Sequence, residues 1–94
     1  MKEIEIEQKL VKAVADRMGW CLKWTSQSLT GIPDRIVLLP GGKIAFVEVK
    51  APGEKPRKLQ IRRMNQLQAL GFNCYVLDKA EDIPALLEEI ADEV

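Results

Sequence analysis

Ninety-four residues, 47% apolar and 30% charged, are enough for one small domain over residues 1–94 with a single modest core. Fourteen basic and fourteen acidic residues cancel, and there is no histidine, which excludes Ser-His triads, histidine general bases and histidine-ligated zinc. Any metal must then be held by oxygen, as magnesium or manganese is. No apolar run approaches the roughly 18 residues of a membrane span, and Met1-Lys2-Glu3-Ile4-Glu5 is unlike a secretory signal. The expectation is a cytoplasmic protein whose two cysteines, Cys21 and Cys74, are reduced core thiols.

In chain order, Ile4, Glu7, Val11, Val14 and Met18 recur at spacings of three and four, one face of an amphipathic helix over about Lys2 to Met18. Glu7 falls inside this apolar stripe, and Gly19 is the expected stop. Trp20-Cys21-Leu22-Lys23-Trp24 reads as a strand, and Thr25 to Gly31 as a polar loop. A hairpin follows: Arg35 to Leu39, the turn Pro40-Gly41-Gly42, then Lys43 to Val47. After the connection Ala51 to Pro56, a second helix runs to Leu70 and stops at Gly71, with Gln60, Met64, Leu67 and Gly71 in one stripe. Asn73 to Leu77 reads as a strand, Asp78 and Glu81 as a capping-box pair, and Ile83 to Ala91 as the last helix. The order α-β-β-β-α-β-α predicts an α/β fold with a mixed central sheet flanked by helices. The strand after the crossover helix should return parallel to the one carrying Glu48.

Chemistry concentrates in Gly31-Ile32-Pro33-Asp34 and Glu48-Val49-Lys50. A three-residue turn pairs Leu39 with Lys43, and that ladder carried outward sets Asp34 opposite Glu48. Directly opposed positions lie about 5 Å apart at Cβ, close enough for two carboxylates to share one metal ion. Lys50 falls two residues after Glu48, on the same sheet face. Two acids and an ammonium on one face point to metal-assisted phosphodiester hydrolysis, with a structural Glu-Lys ion pair as the plainer alternative. Neither hairpin strand alternates cleanly, which argues for burial on both faces and for compensation of the charges at their ends. Lys43 to Arg63 holds seven basic residues against two acids, whereas Asp78 onward holds seven acids against one base. The basic segment, which includes Lys55, Arg57 and Lys58, is where a phosphate backbone would lie, with the acidic end facing away.

The ordered set of Glu7, Gly31-Ile32-Pro33-Asp34, Phe46-Val47-Glu48-Val49-Lys50-Ala51-Pro52-Gly53, Gln60 and Leu70-Gly71 resembles the virus-type replication-repair nuclease (VRR-NUC) domain of the PD-(D/E)XK nuclease superfamily. The resemblance runs from about Glu7 to Asp78. It implies a magnesium- or manganese-dependent deoxyribonuclease in which Asp34, Glu48 and the Val49 carbonyl hold the metal. Lys50 would orient or help deprotonate the attacking water, Glu7 would act through a metal-bound water or a second ion, and Gln60 would hold Lys50 or the water in register. Lys23 and Ser26 would be phosphate contacts beside the basic segment. Small standalone members resemble structure-selective endonucleases of branched DNA, four-way junctions included. Paired incision of a junction needs two active sites where one chain supplies one, so a homodimer is expected, with Trp20 and Trp24 either as interface aromatics or as core residues. The resemblance fits a phage or bacterial origin and no organic cofactor. A nonspecific or restriction-like DNase, or a noncatalytic nucleic-acid-binding module, are the other readings. The chain departs from the family pattern at Arg57, where members often carry Ser or Thr, and at Arg63, where they often carry an aromatic residue. The first departure bears on the cap of the second helix, the second on substrate contact.

Overall fold

A computed structural model describes residues 1–92. Helix α1 spans Glu3–Asp16, strands β1 Trp20–Lys23, β2 Arg35–Leu39 and β3 Lys43–Val49, helix α2 Lys58–Ala69, strand β4 Asn73–Leu77 and helix α3 Ile83–Ala91, with a 3-10 turn over Ala80–Asp82. The element order matches the expectation. The strands form one sheet in the order β1-β2-β3-β4. β1, β2 and β3 are antiparallel neighbours and β4 lies parallel to β3, so the crossover helix α2 returns the chain as expected.

The hairpin has the expected register. Leu39 pairs with Lys43 and Arg35 with Val47, around a turn in which Gly41 and Gly42 both take positive φ, where a side chain would be strained. All five residues from Ala45 to Val49 are buried, as a strand covered on both faces requires. One sheet face, carrying Val37, Leu39, Ala45, Val47, Val49 and Leu77, packs against Ile6, Leu10 and Val14 of α1 and against Ile83, Leu86, Leu87 and Ile90 of α3. Residues of opposite parity, including Phe46 and Glu48, face α2. Cys21 and Cys74 are free thiols, but both are only half-buried, at the margin of the core rather than inside it.

The first helix is rotated from its expected phase. Ile6, Leu10 and Val14 are its buried residues, whereas Ile4 and Met18 lie in solvent. Two stripes sharing Val14 can be drawn on this sequence, and the one that meets the sheet places Glu7 at its flank. The helix also stops early. Met18, not glycine, takes the left-handed conformation (φ 66°) that closes α1. Its N–H donates to the Ala15 carbonyl at 2.9 Å and the Gly19 N–H to the Val14 carbonyl at 3.0 Å, the paired bonds of a Schellman cap. Gly19 is required for another reason: a Cβ there would lie 2.3 Å from the Leu38 carbonyl oxygen. Helix α2 ends in the same motif with the glycine in the usual place, Gly71 at φ 99°. The expected Asp78–Glu81 capping box is absent: α3 starts after Asp82, without a side-chain cap and with Pro84 in its first turn.

Candidate active site

Asp34 closes the tail of the hairpin. Its main-chain carbonyl accepts the Trp24 N–H at 2.9 Å, and its Oδ2 accepts the Val49 N–H at 3.0 Å. The carboxylate thus replaces the backbone partner that β2 no longer offers once it ends at Arg35. One residue back along β3, Glu48 is 1% exposed. The continued ladder puts Asp34 opposite it, on the α2 face of the sheet.

Two donors converge on Glu48 Oε2: Gln60 Nε2 at 2.8 Å and Lys50 Nζ at 3.1 Å. Among the described residues, Glu48 Oε1 is the one buried side-chain polar atom with no hydrogen-bond partner. Burial pushes the Glu48 carboxyl above the usual carboxylate range; the Lys50 hydrogen bond pulls against this, and the neighbouring charge of Asp34 adds to it. A buried, unsatisfied carboxylate oxygen beside a second acid is an arrangement that a cation relieves.

Gln60 is placed by the start of α2. Its Oε1 accepts the Arg57 N–H at 2.8 Å, half of a capping box, while its amide NH2 reaches Glu48. Arginine at the N-cap cannot accept the return bond, so the departure at Arg57 leaves this helix start to Gln60 alone. Gln60 was expected to hold Lys50 or the water; it holds Glu48 itself. Gly31 lets the loop before Asp34 press on α2: it takes φ 80°, and a Cβ there would lie 2.6 Å from Leu59 Cγ. Arg63 donates from Nε to the Thr30 carbonyl at 2.8 Å, tying the same loop to the helix.

Asp34, Glu48, Val49, Lys50 and Gln60 are therefore gathered at one end of β3. Glu7 is not among them. Its Oε2 accepts from Arg35 Nε at 3.0 Å, and Arg35 belongs by alternation to the α1 face, opposite Glu48. The described residues contain no group of three or more acidic or cysteine side chains placed to hold a metal. Two carboxylates suit a hard ion that keeps much of its water, since magnesium is commonly held by one or two.

Of the expected nucleic-acid contacts, Lys55, Arg57 and Lys58 are exposed around the start of α2, beside Gln60. Lys23 is exposed but pairs with Arg35 and shares its parity, so it leaves the sheet on the α1 side. The Ser26 hydroxyl is occupied by the loop's own turn, accepting the N–H groups of Ser28 at 3.3 Å and Leu29 at 3.2 Å. Arg35, unmarked in the sequence reading, emerges as the partner of Glu7. The signal was present: an arginine opening a strand that is otherwise apolar needs a counter-charge. Glu88 and Glu89 are exposed on α3, which packs on the sheet face away from Glu48, whereas Asp78 directly follows Leu77, the partner of Val49, at the same end of the sheet as Lys50.

The model of the VRR-NUC domain family matches residues 4–80. The chain belongs to the VRR-NUC family. It is 44% identical over 90 residues to "Putative nuclease p44" of Acyrthosiphon pisum secondary endosymbiont phage 1, covering 96% of each chain. A solved structure titled "VRR_NUC domain" superposes with a TM-score of 0.87 at 29% identity, over 94% of this chain and 96% of that one. This VRR-NUC domain is thus a nuclease, a hydrolase with a nucleic-acid substrate, of a family that generally uses divalent metal ions. No described helix is long and apolar enough to cross a membrane.

Proposed function

We propose that this chain is a magnesium- or manganese-dependent endonuclease that cuts DNA at branch points, four-way junctions among them, as a homodimer. The observation that carries the metal dependence is Glu48 Oε1: a buried carboxylate oxygen with no partner, beside Asp34, while Oε2 already receives two donors. Asp34, Glu48 and the Val49 carbonyl would hold the ion. When bound, a divalent cation supplies charge neutralisation at a phosphate oxygen and a more acidic water.

The remaining work falls to the chain's own groups. Gln60 fixes the Glu48 carboxylate by holding Oε2, so that the free oxygen points one way only. Lys50, on the same face two residues on, presents an ammonium to the negative charge that grows on the phosphate in the transition state. The Val49 N–H holds the Asp34 carboxylate against rotation. Glu7 fixes Arg35 at the strand opening that leads out of Asp34, a positioning role one layer removed from the phosphate. The exposed Lys55, Arg57 and Lys58 would hold the backbone by charge without reading bases.

Support for the dimer is chemical. Trp20 is 67% exposed on edge strand β1, and paired incision of a junction needs two sites where one chain carries one. Trp24 is instead stacked on Phe46 with ring centroids 4.7 Å apart, inside one subunit. The test compares linear duplex, flap and four-way-junction substrates with magnesium, manganese or chelator, alongside sedimentation of the protein at micromolar concentration. The expected result is metal-dependent incision strongest on branched DNA by a dimer, abolished in Asp34→Ala and Lys50→Ala with binding retained. Full magnesium-dependent cleavage by Asp34→Ala would remove the metal assignment, and a strict monomer would remove the paired-incision reading.

A further inference from the structure

We propose that an apolar pocket beside Asp34 receives one unpaired nucleobase of the DNA substrate. The loop between β1 and β2 lies over α2 and encloses about 210 Å3 walled by Trp24, Ile32, Leu67 and Leu70, with Arg63 and Gln66 as the polar members of the lining. That volume is below the roughly 300–1,000 Å3 of pockets that take whole drug-sized ligands. It suits a single planar ring system.

Three observations join the pocket to the site. The Trp24 N–H is bonded to the Asp34 carbonyl, and Ile32 is two residues before Asp34, so two of the walls lie on segments that flank Asp34. The Trp24 indole is backed by Phe46, whose ring also meets Phe72 edge-on at 5.5 Å. Phe46 sits on the same strand face as Glu48, two residues before it. The indole is therefore a braced platform, and an aromatic face accepts any base by stacking. Finally, Arg63 is held by Thr30 and Gln66 at 2.8 and 2.9 Å, which pins its side chain along a lining that is almost wholly apolar, a surface for the face of a ring.

Charge favours a nucleic acid over an apolar peptide as the occupant. Arg57, Lys58 and Arg62 are exposed on the same helix, able to hold the phosphates that flank an extruded base. A fully paired duplex offers no free base, whereas a single-stranded flap does, so capture here would give selectivity for DNA with a single-stranded branch. The proposal uses the nuclease reading only for the class of ligand, and its test is made without cleavage.

Binding would be followed by fluorescence anisotropy in calcium, using a duplex with a short single-stranded flap in which each flap position near the branch is made abasic in turn. Wild type is expected to lose about 5- to 150-fold in affinity at one position, the contribution of one base stacked on an aromatic side chain. Trp24→Ala and Leu70→Glu are expected to erase that position-specific loss and leave binding of fully paired duplex unchanged. Leu70 is 74% exposed, so its substitution guards against misfolding caused by removing the indole from Phe46. A flat abasic scan with wild type would overturn the proposal, as would a Leu70→Glu variant that turns monomeric while keeping the abasic penalty. If the scan shows its single position but neither magnesium nor manganese supports cleavage, the pocket stands and the proposed magnesium- or manganese-dependent endonuclease function falls.

Discussion

Replacing Glu48 with glutamine should abolish cleavage and yet make the metal-free protein more stable at neutral pH. The side chain is 1% exposed and leaves Oε1 without a partner, and an unsatisfied buried acceptor costs about 1–3 kcal/mol, more when charged. In Glu48→Gln the amide oxygen can keep the donors of Gln60 and Lys50, and the NH2 at the Oε1 position is still unpaired but neutral, so the gain is the added cost of burying a charge and not the whole penalty. The Lys50 contact loses its ion-pair character, which returns part of the gain. The net expectation is about 1 kcal/mol of stabilisation, or roughly 4–8 °C in Tm for a domain of this size. The sign of the pH dependence follows from burial, which raises the carboxyl above the ordinary value of 4.5. Because the folded value is the higher one, the stability tied to protonated Glu48 is complete below 4.5 and lost as pH rises through the raised folded value. The advantage of the variant should therefore open over that window and close in acid. Added magnesium should stabilise wild type, by about 2.7 kcal/mol at 100 times Kd, and leave the variant unmoved. Paired thermal melts at pH 4 and pH 8, across a magnesium titration carried to saturation, measure all of this. A Glu48→Gln protein less stable than wild type at pH 8 without metal would refute the reasoning, showing the Glu48–Lys50–Gln60 cluster to be net stabilising.

The α1 terminus separates two roles for its last residues: Met18→Gly should raise stability by about 0.5–1 kcal/mol by relieving a left-handed side chain, while Gly19→Ala should lower it by about 1–3 kcal/mol through the clash with the Leu38 carbonyl. Urea titrations with unchanged slope would register both. Gln60→Ala removes a charge-assisted bond to Glu48 and the side-chain acceptor of the Arg57 N–H, so it should cost about 2–4 kcal/mol. It should also lower the cleavage rate more than it weakens DNA binding, as single-turnover assays beside anisotropy would show.

The hairpin was the most legible part of this chain, because a Pro-Gly-Gly turn between two apolar runs leaves little choice of register. From Leu39–Lys43 the opposition of Asp34 and Glu48 follows by counting, and the parity of Lys50 with it. The last helix could be read to the residue because its apolar positions admit one phase. The first helix admits two, and only contact with the sheet decides between them. Periodicity therefore puts Glu7 in a stripe where the structure has it at the edge, and gives Arg35 no role. Gly19 shows a further limit: glycine after a helix signals a left-handed stop, but here it answers a backbone carbonyl from a strand about 20 residues later, which no local pattern contains. The double use of Gln60, bonded to its own helix start and to Glu48, likewise depends on the distance between α2 and β3, a product of the whole sheet.

That dependence on α2 has a bearing on when the protein becomes competent. The acids and the lysine lie on the hairpin and could assemble from residues 34–50 alone, but the amide that orients Glu48 sits on the connection to β4, and the β3–β4 pairing is parallel and non-local. A chain that has made only its antiparallel strands would lack the amide that fixes Glu48, and competence for cleavage would be expected only once β4 has docked and completed the sheet.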